Sequence, residues 1–372
     1  MKQLTYLLLF LLLYSCTTAQ RQQDDTSQHR IYDGPYIIYN EDGTVKLINF
    51  DEEFNMFTQH FNSRDHIGLI RVGTQKGGYE FTVRLHDNIT TPADHHDMPE
   101  RILLISDPHG DVVSFITGLQ GNGVIDEHLN WIFGDGHLIV HGDVHSRGDD
   151  VTAIFWLIYK LEEQARRAGG ALHFSLGNHE VMAAQNDTRF ATEKYSKITE
   201  KMGVEYGKLW SKQTELGRWM HSRNTMMIIG DILFVHGGIS PQLVATDLTI
   251  TQINDIVRKY MALPRAATAE DTTPGHLIMR SYGPLWYRGL ALQEVSQADI
   301  DAMLERFGVR KIIVGHTILD EISSLFDGRV ITTKVHTRRN LARGGSRGLV
   351  ITPNEVWAVD NDGNRMELYV IE

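Results

Sequence analysis

Histidine, aspartate and asparagine side chains directly follow a series of short apolar runs in this chain. RILLIS is followed by Asp107 and His109, and HLIVH is followed by Asp143. Later apolar runs lead to residues of the same kinds, namely Asn178, His179, His236 and His316. Because the carboxyl ends of strands in an α/β sheet open on a common crevice, we expect these distant segments to converge on one cleft.

The residue types in this cleft predict metal binding. Carboxylate, imidazole and amide oxygen donors suit Mn, Fe or Zn ions, whereas a soft-metal site would need thiolates. Two neighbouring ions need a bridging carboxylate, and Asp143 is the natural candidate. Such a pair lowers the pKa of a bound water and binds a phosphoryl oxygen, which indicates a hydroxide nucleophile near neutral pH. Each residue taken singly could instead be a capping or core residue.

The elements that position these side chains alternate between strands and helices from residue 101. The segment DVTAIFWLIYKLEEQARR has helical spacing and ends at Gly169 and Gly170. Further on, TMMIIGDILFVHGG predicts an antiparallel pair of strands around Gly230, and closely spaced strands follow. This order predicts a layered α/β sandwich with sheets inside and helices outside, over residues 99–372, with a helical cap or flank around 187–223. His95 and His96 are predicted to lie in a loop.

The chain before residue 99 divides into three predicted parts. Residues 1–16, MKQLTYLLLFLLLYSC, predict a signal peptide that is too short for a membrane span. LYSC resembles a bacterial lipobox, so Cys16 would carry the lipid; the alternative is an ordinary secretory signal. Residues 17–30 are polar and predict a flexible tether, and residues 31–98 predict a β-rich extension. We therefore expect an exported protein, anchored by lipid in the bacterial envelope at the outer membrane or periplasm.

Composition limits the classes of partner. The chain has 372 residues with 42% hydrophobic content, which is ample for a packed core. A net charge of −11 argues against nucleic acid as a partner, because binding to the phosphate backbone needs surplus Lys and Arg. The membrane is expected as a partner only through the lipid on Cys16.

Five motifs in a fixed order resemble a known family. DPHGD, GDVHSRG, GNHE, VHGG and GHT, over about residues 101–320, are similar to those of the calcineurin-like metallophosphoesterases, and most of all to the phosphoprotein phosphatase branch and its bacterial Shewanella-like relatives. The resemblance implies a four-layer α/β/β/α sandwich of two mixed sheets flanked by helices. It also implies two metal ions, one held by Asp107, His109 and Asp143, the other by Asp143, Asn178, His236 and His316.

The same resemblance implies roles for three further residues. Arg147 would bind the phosphate of the substrate, since a guanidinium matches two phosphoryl oxygens. Arg288, in GPLWYRG, matches the second phosphate-binding arginine. His179 would be the general acid that protonates the leaving alcohol. Ser146 departs from the family pattern, which has an aspartate there to orient the histidine. Either His145 or Asp149 replaces that aspartate, or His179 is less well poised.

The predicted activity is hydrolysis of phosphate monoesters, of small molecules or phosphoproteins, by in-line attack of a hydroxide bound to both metals. A phosphodiesterase or nucleotidase on the same scaffold is the nearest alternative. The arginine after GDVHS and the missing histidine after GHT weigh against it. A catalytically weak, metal-holding surface lipoprotein is the alternative of a different class. His336 is expected in a solvated loop, with a place in the cleft as the alternative.

Overall fold

The structure is a computed structural model that describes residues 30–268 and 274–371, so the predicted signal peptide and most of the predicted tether lie outside the described residues. The strands, in chain order, are β1 Asp33–Tyr39, β2 Val45–Phe50, β3 Met56–Phe61, β4 Ile70–Gly73, β5 Glu80–Val83, β6 His95–His96, β7 Ile102–Ile105, β8 His137–His141, β9 Ala171–Ser175, β10 Met226–Ile229, β11 Ile232–Val235, β12 Lys311–Val314, β13 Ser323–Leu325, β14 Val330–Thr332, β15 Gly348–Ile351, β16 Val356–Val359, β17 Arg365–Met366 and β18 Tyr369–Val370. The α-helices are α1 Val112–Gly121, α2 Val151–Arg167, α3 Asn178–Ala184, α4 Glu193–Met202, α5 Tyr206–Leu209, α6 Glu215–Met220, α7 Pro241–Val244, α8 Ile250–Met261, α9 Pro274–Met279, α10 Gln297–Phe307 and α11 Thr337–Ala342.

Two mixed sheets form the centre of the molecule. One has the strand order β17-β16-β15-β7-β8-β9, in which β7, β8 and β9 run parallel. The other has the order β18-β13-β14-β12-β11-β10-β6, in which β11, β12 and β14 run parallel. The strands β10 and β11 pair antiparallel across Gly230, as the sequence predicts. The predicted α/β fold is thereby confirmed.

Alternating side chains of each central strand pack into two different layers. In β7, Leu103 and Ile105 belong to the larger apolar cluster, which includes the helices, whereas Ile102 and Leu104 belong to a second cluster. That second cluster also contains Phe234 of the other sheet. Because successive side chains of a strand point to opposite faces, continuous apolar runs fill both the space between the sheets and the space under the helices. Helix α2 contacts β9 of one sheet, and α8 contacts β10 of the other.

The segment before the sandwich packs on α2. β1, β2 and β3 form one small sheet, and β4 and β5 form another. The indole of Trp156 in α2 donates a hydrogen bond of 3.0 Å to the carbonyl of Pro35. Helices α4, α5 and α6 lie within the predicted helical flank at 187–223, where Trp210 and Trp219 are buried.

One local prediction is wrong. His95 and His96, predicted in a loop, form the short strand β6, which pairs parallel with Ile228 and Ile229 of β10. Exposed backbone at the edge of the sheet accepts this extra strand whatever side chains it carries. Within the described ranges, no helix combines the length and the apolar character that crossing a bilayer requires.

Candidate metal centre

Loops at the carboxyl ends of five strands carry the predicted site residues. Asp107 and His109 follow β7, Asp143 follows β8, and His236 and His316 follow β11 and β12; Asn178 and His179 begin α3 directly after β9. Asp107, His109, Asp143 and His316 all have positive φ, between 45° and 60°. Non-glycine residues adopt this conformation at an energetic cost, and such outliers cluster at functional sites.

Asp143 lies at the centre of the arrangement. Its Oδ2 is 3.2 Å from Nε2 of His236, 3.8 Å from Nε2 of His109 and 3.9 Å from Nε2 of His179. Two groups of three residues each bring their ligand atoms within 4.8 Å of one another, and Asp143 belongs to both groups. One group is His109, Asp143 and His179, and the other is Asp143, His236 and His316. Asn178 adjoins the second group, since its Oδ1 is 3.3 Å from Nε2 of His236.

The donor set fits metal ions. Nδ1 of His236 donates to the carbonyl of His141 at 3.0 Å, and Nδ1 of His109 donates to the carbonyl of His145 at 2.9 Å. These bonds leave Nε2 of each ring free to face Asp143, as in metal-binding histidines. Nε2 of His316 is buried and has no hydrogen-bond partner among the described residues. A buried polar atom is normally paired, so this nitrogen is available to bind a metal ion.

The protonation states agree with this interpretation. Burial, assisted by the charge of His236, lowers the pKa of His316 to about 3, so its ring is neutral at pH 7 and able to bind a cation. Burial also opposes a charge on His236, but the adjacent carboxylate of Asp143 outweighs it and raises the pKa of His236 to about 9. A metal ion at this position would displace that proton.

Asp107 has a different set of contacts. Its Oδ1 is 3.0 Å from Nζ of Lys334, its Oδ2 accepts a hydrogen bond from the hydroxyl of Ser106, and it belongs to neither donor group. Lys334 lies outside the motifs from which the site was predicted. A lysine that ends the apolar strand VITTK was the available signal.

His179 lies beside Asp143, but the residues that the structure describes offer its Nδ1 no hydrogen bond. Burial lowers its pKa, and the charge of Asp143 opposes that shift. Its Nδ1 is buried and accepts or donates no hydrogen bond within the described part of the chain. Both residues predicted as replacements for the family aspartate are engaged elsewhere: Nδ1 of His145 is 3.1 Å from Glu180, and Asp149 is 3.4 Å from Nζ of Lys76.

The two predicted phosphate-binding arginines adjoin the centre. Arg147 lines a cavity of about 450 Å³ together with Asp107 and His109, and its guanidinium lies 5.3 Å from the ring of Phe190. Nη1 of Arg288 donates to the carbonyl of His316 at 3.3 Å and to the hydroxyl of Thr317 at 3.2 Å. His336 is exposed at the rim of the same cavity, at the N-terminus of α11.

Glu180 is a second residue to which the sequence analysis gave no role. Its buried carboxylate accepts backbone hydrogen bonds from Asp143 at 2.9 Å, Val144 at 2.9 Å, His145 at 3.1 Å and Gly177 at 2.7 Å. Burial alone would raise the pKa of Glu180, but the hydrogen bonds, led by that of the His145 side chain, hold it below its ordinary value. This carboxylate ties the loop after β8 to the start of α3.

Several known proteins are similar to this chain in sequence. Residues 100–319 match the model of the calcineurin-like phosphoesterases. Shewanella-like protein phosphatase 2 of Arabidopsis thaliana is 23% identical over 303 residues, which cover 67% of this chain and 74% of the relative. Shewanella-like protein phosphatase 1 of Plasmodium berghei is 23% identical over 224 residues, which cover 58% of this chain and 61% of that relative.

A solved structure matches over most of the chain. The cold-active protein-tyrosine phosphatase of a psychrophilic Shewanella species superimposes with a TM-score of 0.80 and 30% sequence identity, covering 90% of this chain and 99% of that one. The match of the family model includes all six predicted metal ligands, and the fold and the motifs agree with it. The chain therefore belongs to the calcineurin-like phosphoesterase family.

Proposed function

We propose that the protein hydrolyses phosphate monoesters at a centre of two metal ions. The observation that carries this proposal is the position of Asp143, whose carboxylate is shared by two separate groups of donor atoms. When bound, a pair of Mn, Fe or Zn ions supplies an activated water and neutralises charge on the phosphoryl group. His109 and Asp107 would complete one position, and Asn178, His236 and His316 the other.

The remaining side chains bind the substrate and move a proton. Arg147 and Arg288 hold the phosphoryl oxygens and keep the phosphorus in line for attack. His179 donates a proton to the leaving oxygen. Two features disfavour a phosphodiesterase or nucleotidase: the arginine after GDVHS and the missing histidine after GHT.

Phosphoproteins are the proposed substrate class, and phosphotyrosine is the preferred residue. The structural relative is a protein-tyrosine phosphatase, and the Arabidopsis relative is a protein phosphatase. In this chain the phenyl ring of Phe190 is 42% exposed, and its centroid is 5.2 Å from that of the His179 ring. An exposed aromatic ring beside the proposed general acid offers a stacking surface to an aromatic leaving group.

A metal and substrate screen tests the proposal. The purified protein should contain about two metal ions per chain and release phosphate from p-nitrophenyl phosphate faster than it cleaves bis(p-nitrophenyl) phosphate. Asn178→Ala and His236→Ala should abolish the release, while the matched exposed control His128→Ala should not. Phosphotyrosine peptides should react faster than phosphoserine peptides.

The same screen distinguishes the alternatives. Preference for the bis-ester would favour a phosphodiesterase. Two bound metals without hydrolysis of any ester would favour a catalytically weak binding lipoprotein, in which His179, whose Nδ1 has no partner among the described residues, is a poorly oriented acid.

We also propose that Cys16 carries lipid and anchors the protein in the bacterial envelope. The support is the sequence LYSC after an apolar stretch and the absence of any other cysteine. Cys16→Ser should move the protein from the membrane fraction to the soluble fraction. A wild-type protein that is already in the soluble fraction would overturn this proposal.

A further inference from the structure

Lys334 is a buried cation beside the proposed metal centre. It lies just after β14, its side chain is 6% exposed, and its Nζ is 3.0 Å from Oδ1 of Asp107, whose side chain is wholly buried. Buried lysines are rare and need a partner, so the pair is a built feature of the site. Lys334 also lines the same cavity as His109 and Arg147.

The contacts of Asp107 make the two metal positions unequal. Both carboxylate oxygens of Asp107 are engaged, one by Lys334 and one by the hydroxyl of Ser106. The ligand atoms of Asp143, His236 and His316 lie within 4.8 Å of one another, and Asp107 is not part of this group. Metal binding through Asp107 must therefore compete with an ammonium group fixed to the chain, whereas binding at the other group requires only that His236 release its proton.

Electrostatic repulsion increases the difference in metal affinity between the two positions. A cation coordinated by Asp107 would lie only a few ångströms from the ammonium of Lys334, in a buried region where screening by water is weak. Arg288 lies beside His316, but its Nη1 donates hydrogen bonds to the carbonyl of His316 and the hydroxyl of Thr317 rather than to the imidazole. Of Lys334 and Arg288, only Lys334 pairs its charge directly with the side chain of a predicted metal ligand.

We propose that Lys334 regulates metal occupancy, by weakening the binding of the ion that Asp107 would hold relative to the ion at Asp143, His236 and His316. The inference rests on the two-ion centre of the proposed function. Lys334 acts through Asp107 as a positioning residue. The phosphatase would consequently work with one tightly held ion and one that depends on the supply of metal.

Stepwise titration of the metal-free full chain with Mn²⁺ tests this proposal. Calorimetry should resolve two steps in the wild type, separated by at least tenfold in affinity, and the weaker should tighten by about tenfold or more in Lys334→Met. Lys334→Arg, which keeps the charge, should retain the separation. Arg339→Met is the matched control, because this arginine lines the same cavity but is 61% exposed and paired with Asp320. It should bind Mn²⁺ as the wild type does.

Several results would overturn the inference. Equal affinity of both steps in the wild type would do so without any variant, even if Lys334→Met failed to fold. A weaker step that stays unchanged or loosens in folded Lys334→Met would also do so. Because Mn²⁺ binding is measured without substrate, the result is independent of catalysis. Unequal steps that respond to Lys334→Met, together with no ester hydrolysis, would keep this inference and overturn the monoesterase proposal.

Discussion

At Ser146 this chain differs from its family, and the difference affects His179. The family pattern places an aspartate at the position of Ser146, where it orients the catalytic histidine. Here Nδ1 of His179 is buried without a partner among the described residues, and neither His145 nor Asp149 contacts it. A general acid that is not held in one tautomer and orientation protonates poor leaving groups inefficiently.

Ser146→Asp should therefore raise turnover of phosphate monoesters with poor leaving groups. Ser146 has a φ of 74°, a conformation that aspartate tolerates better than most residues. We expect turnover of an alkyl phosphate to rise by about tenfold, a part of the roughly 10²–10⁴-fold that a general acid contributes, with little change for p-nitrophenyl phosphate. Ser146→Asn is the neutral control. Steady-state kinetics that show no change in the ratio between the two substrates would contradict this explanation.

At the scale of elements, Glu180 joins the loop after β8 to helix α3. A single carboxylate accepts four backbone hydrogen bonds from segments that carry Asp143, Asn178 and His179. Carboxylates that accept several buried N–H groups fix the geometry of the backbone because each unpaired donor would be costly. The position of the Asp143 carboxylate thus depends on Glu180, a residue that belongs to neither group of candidate metal donors.

Glu180→Gln should lower the stability of the fold and weaken metal binding. The amide can accept at only one oxygen and would direct its own N–H groups at backbone donors, so we expect a loss of about 3 kcal/mol. Glu163→Gln is the matched control, because Glu163 pairs with Arg166 and Arg167 on the surface of α2, where such pairs contribute less than about 1 kcal/mol. Equal unfolding free energies of the two variants in urea would contradict the role of Glu180.

The turn between β4 and β5 is bonded to the start of α2, just after the loop that carries Asp143. Asp150, at the start of α2, accepts backbone hydrogen bonds from Gln75 at 2.5 Å and Lys76 at 3.2 Å. Burial raises the pKa of Asp150 from 3.8 to about 6, although Lys194 opposes the shift. Since the folded state favours the protonated carboxyl, this contribution to stability is complete below about pH 4 and is lost as the pH rises through about 6.

Asp150→Asn should make stability less dependent on pH in this range. The amide cannot ionise, so the variant should lose less free energy of unfolding than the wild type between pH 4 and pH 7.5, by up to about 3 kcal/mol. Urea unfolding of both proteins across that range gives the difference in slope, which is independent of any constant offset caused by the substitution. Parallel curves would show that Asp150 does not carry the effect.

At the scale of the molecule, the layers could be predicted but several contacts could not. Runs such as HLIVH are apolar on both faces, which requires cover on both sides and so predicts a sandwich. The short strand at His95 and His96 was missed because its pairing depends on a distant sheet edge rather than on its own side chains.

Some residues of the site could be predicted from the sequence and others could not. The convergence of the candidate metal donors was predictable because each lies next to an apolar strand, so local spacing places it at the cleft. Lys334 and Glu180 were not, because their roles depend on contacts between segments that are far apart in the chain or on backbone groups that the sequence does not distinguish. Side-chain pairing across the cleft follows only from the folded backbone.

The proposed function depends on Asp143 being shared by two metal ions. Anomalous diffraction from crystals grown with excess Mn²⁺ tests it most directly. We expect two peaks about 3.5–4 Å apart on either side of the Asp143 carboxylate, with His236 and His316 beside one of them and His109 beside the other. Mn²⁺ bound at other residues, or a single peak that persists at saturating Mn²⁺, would contradict it.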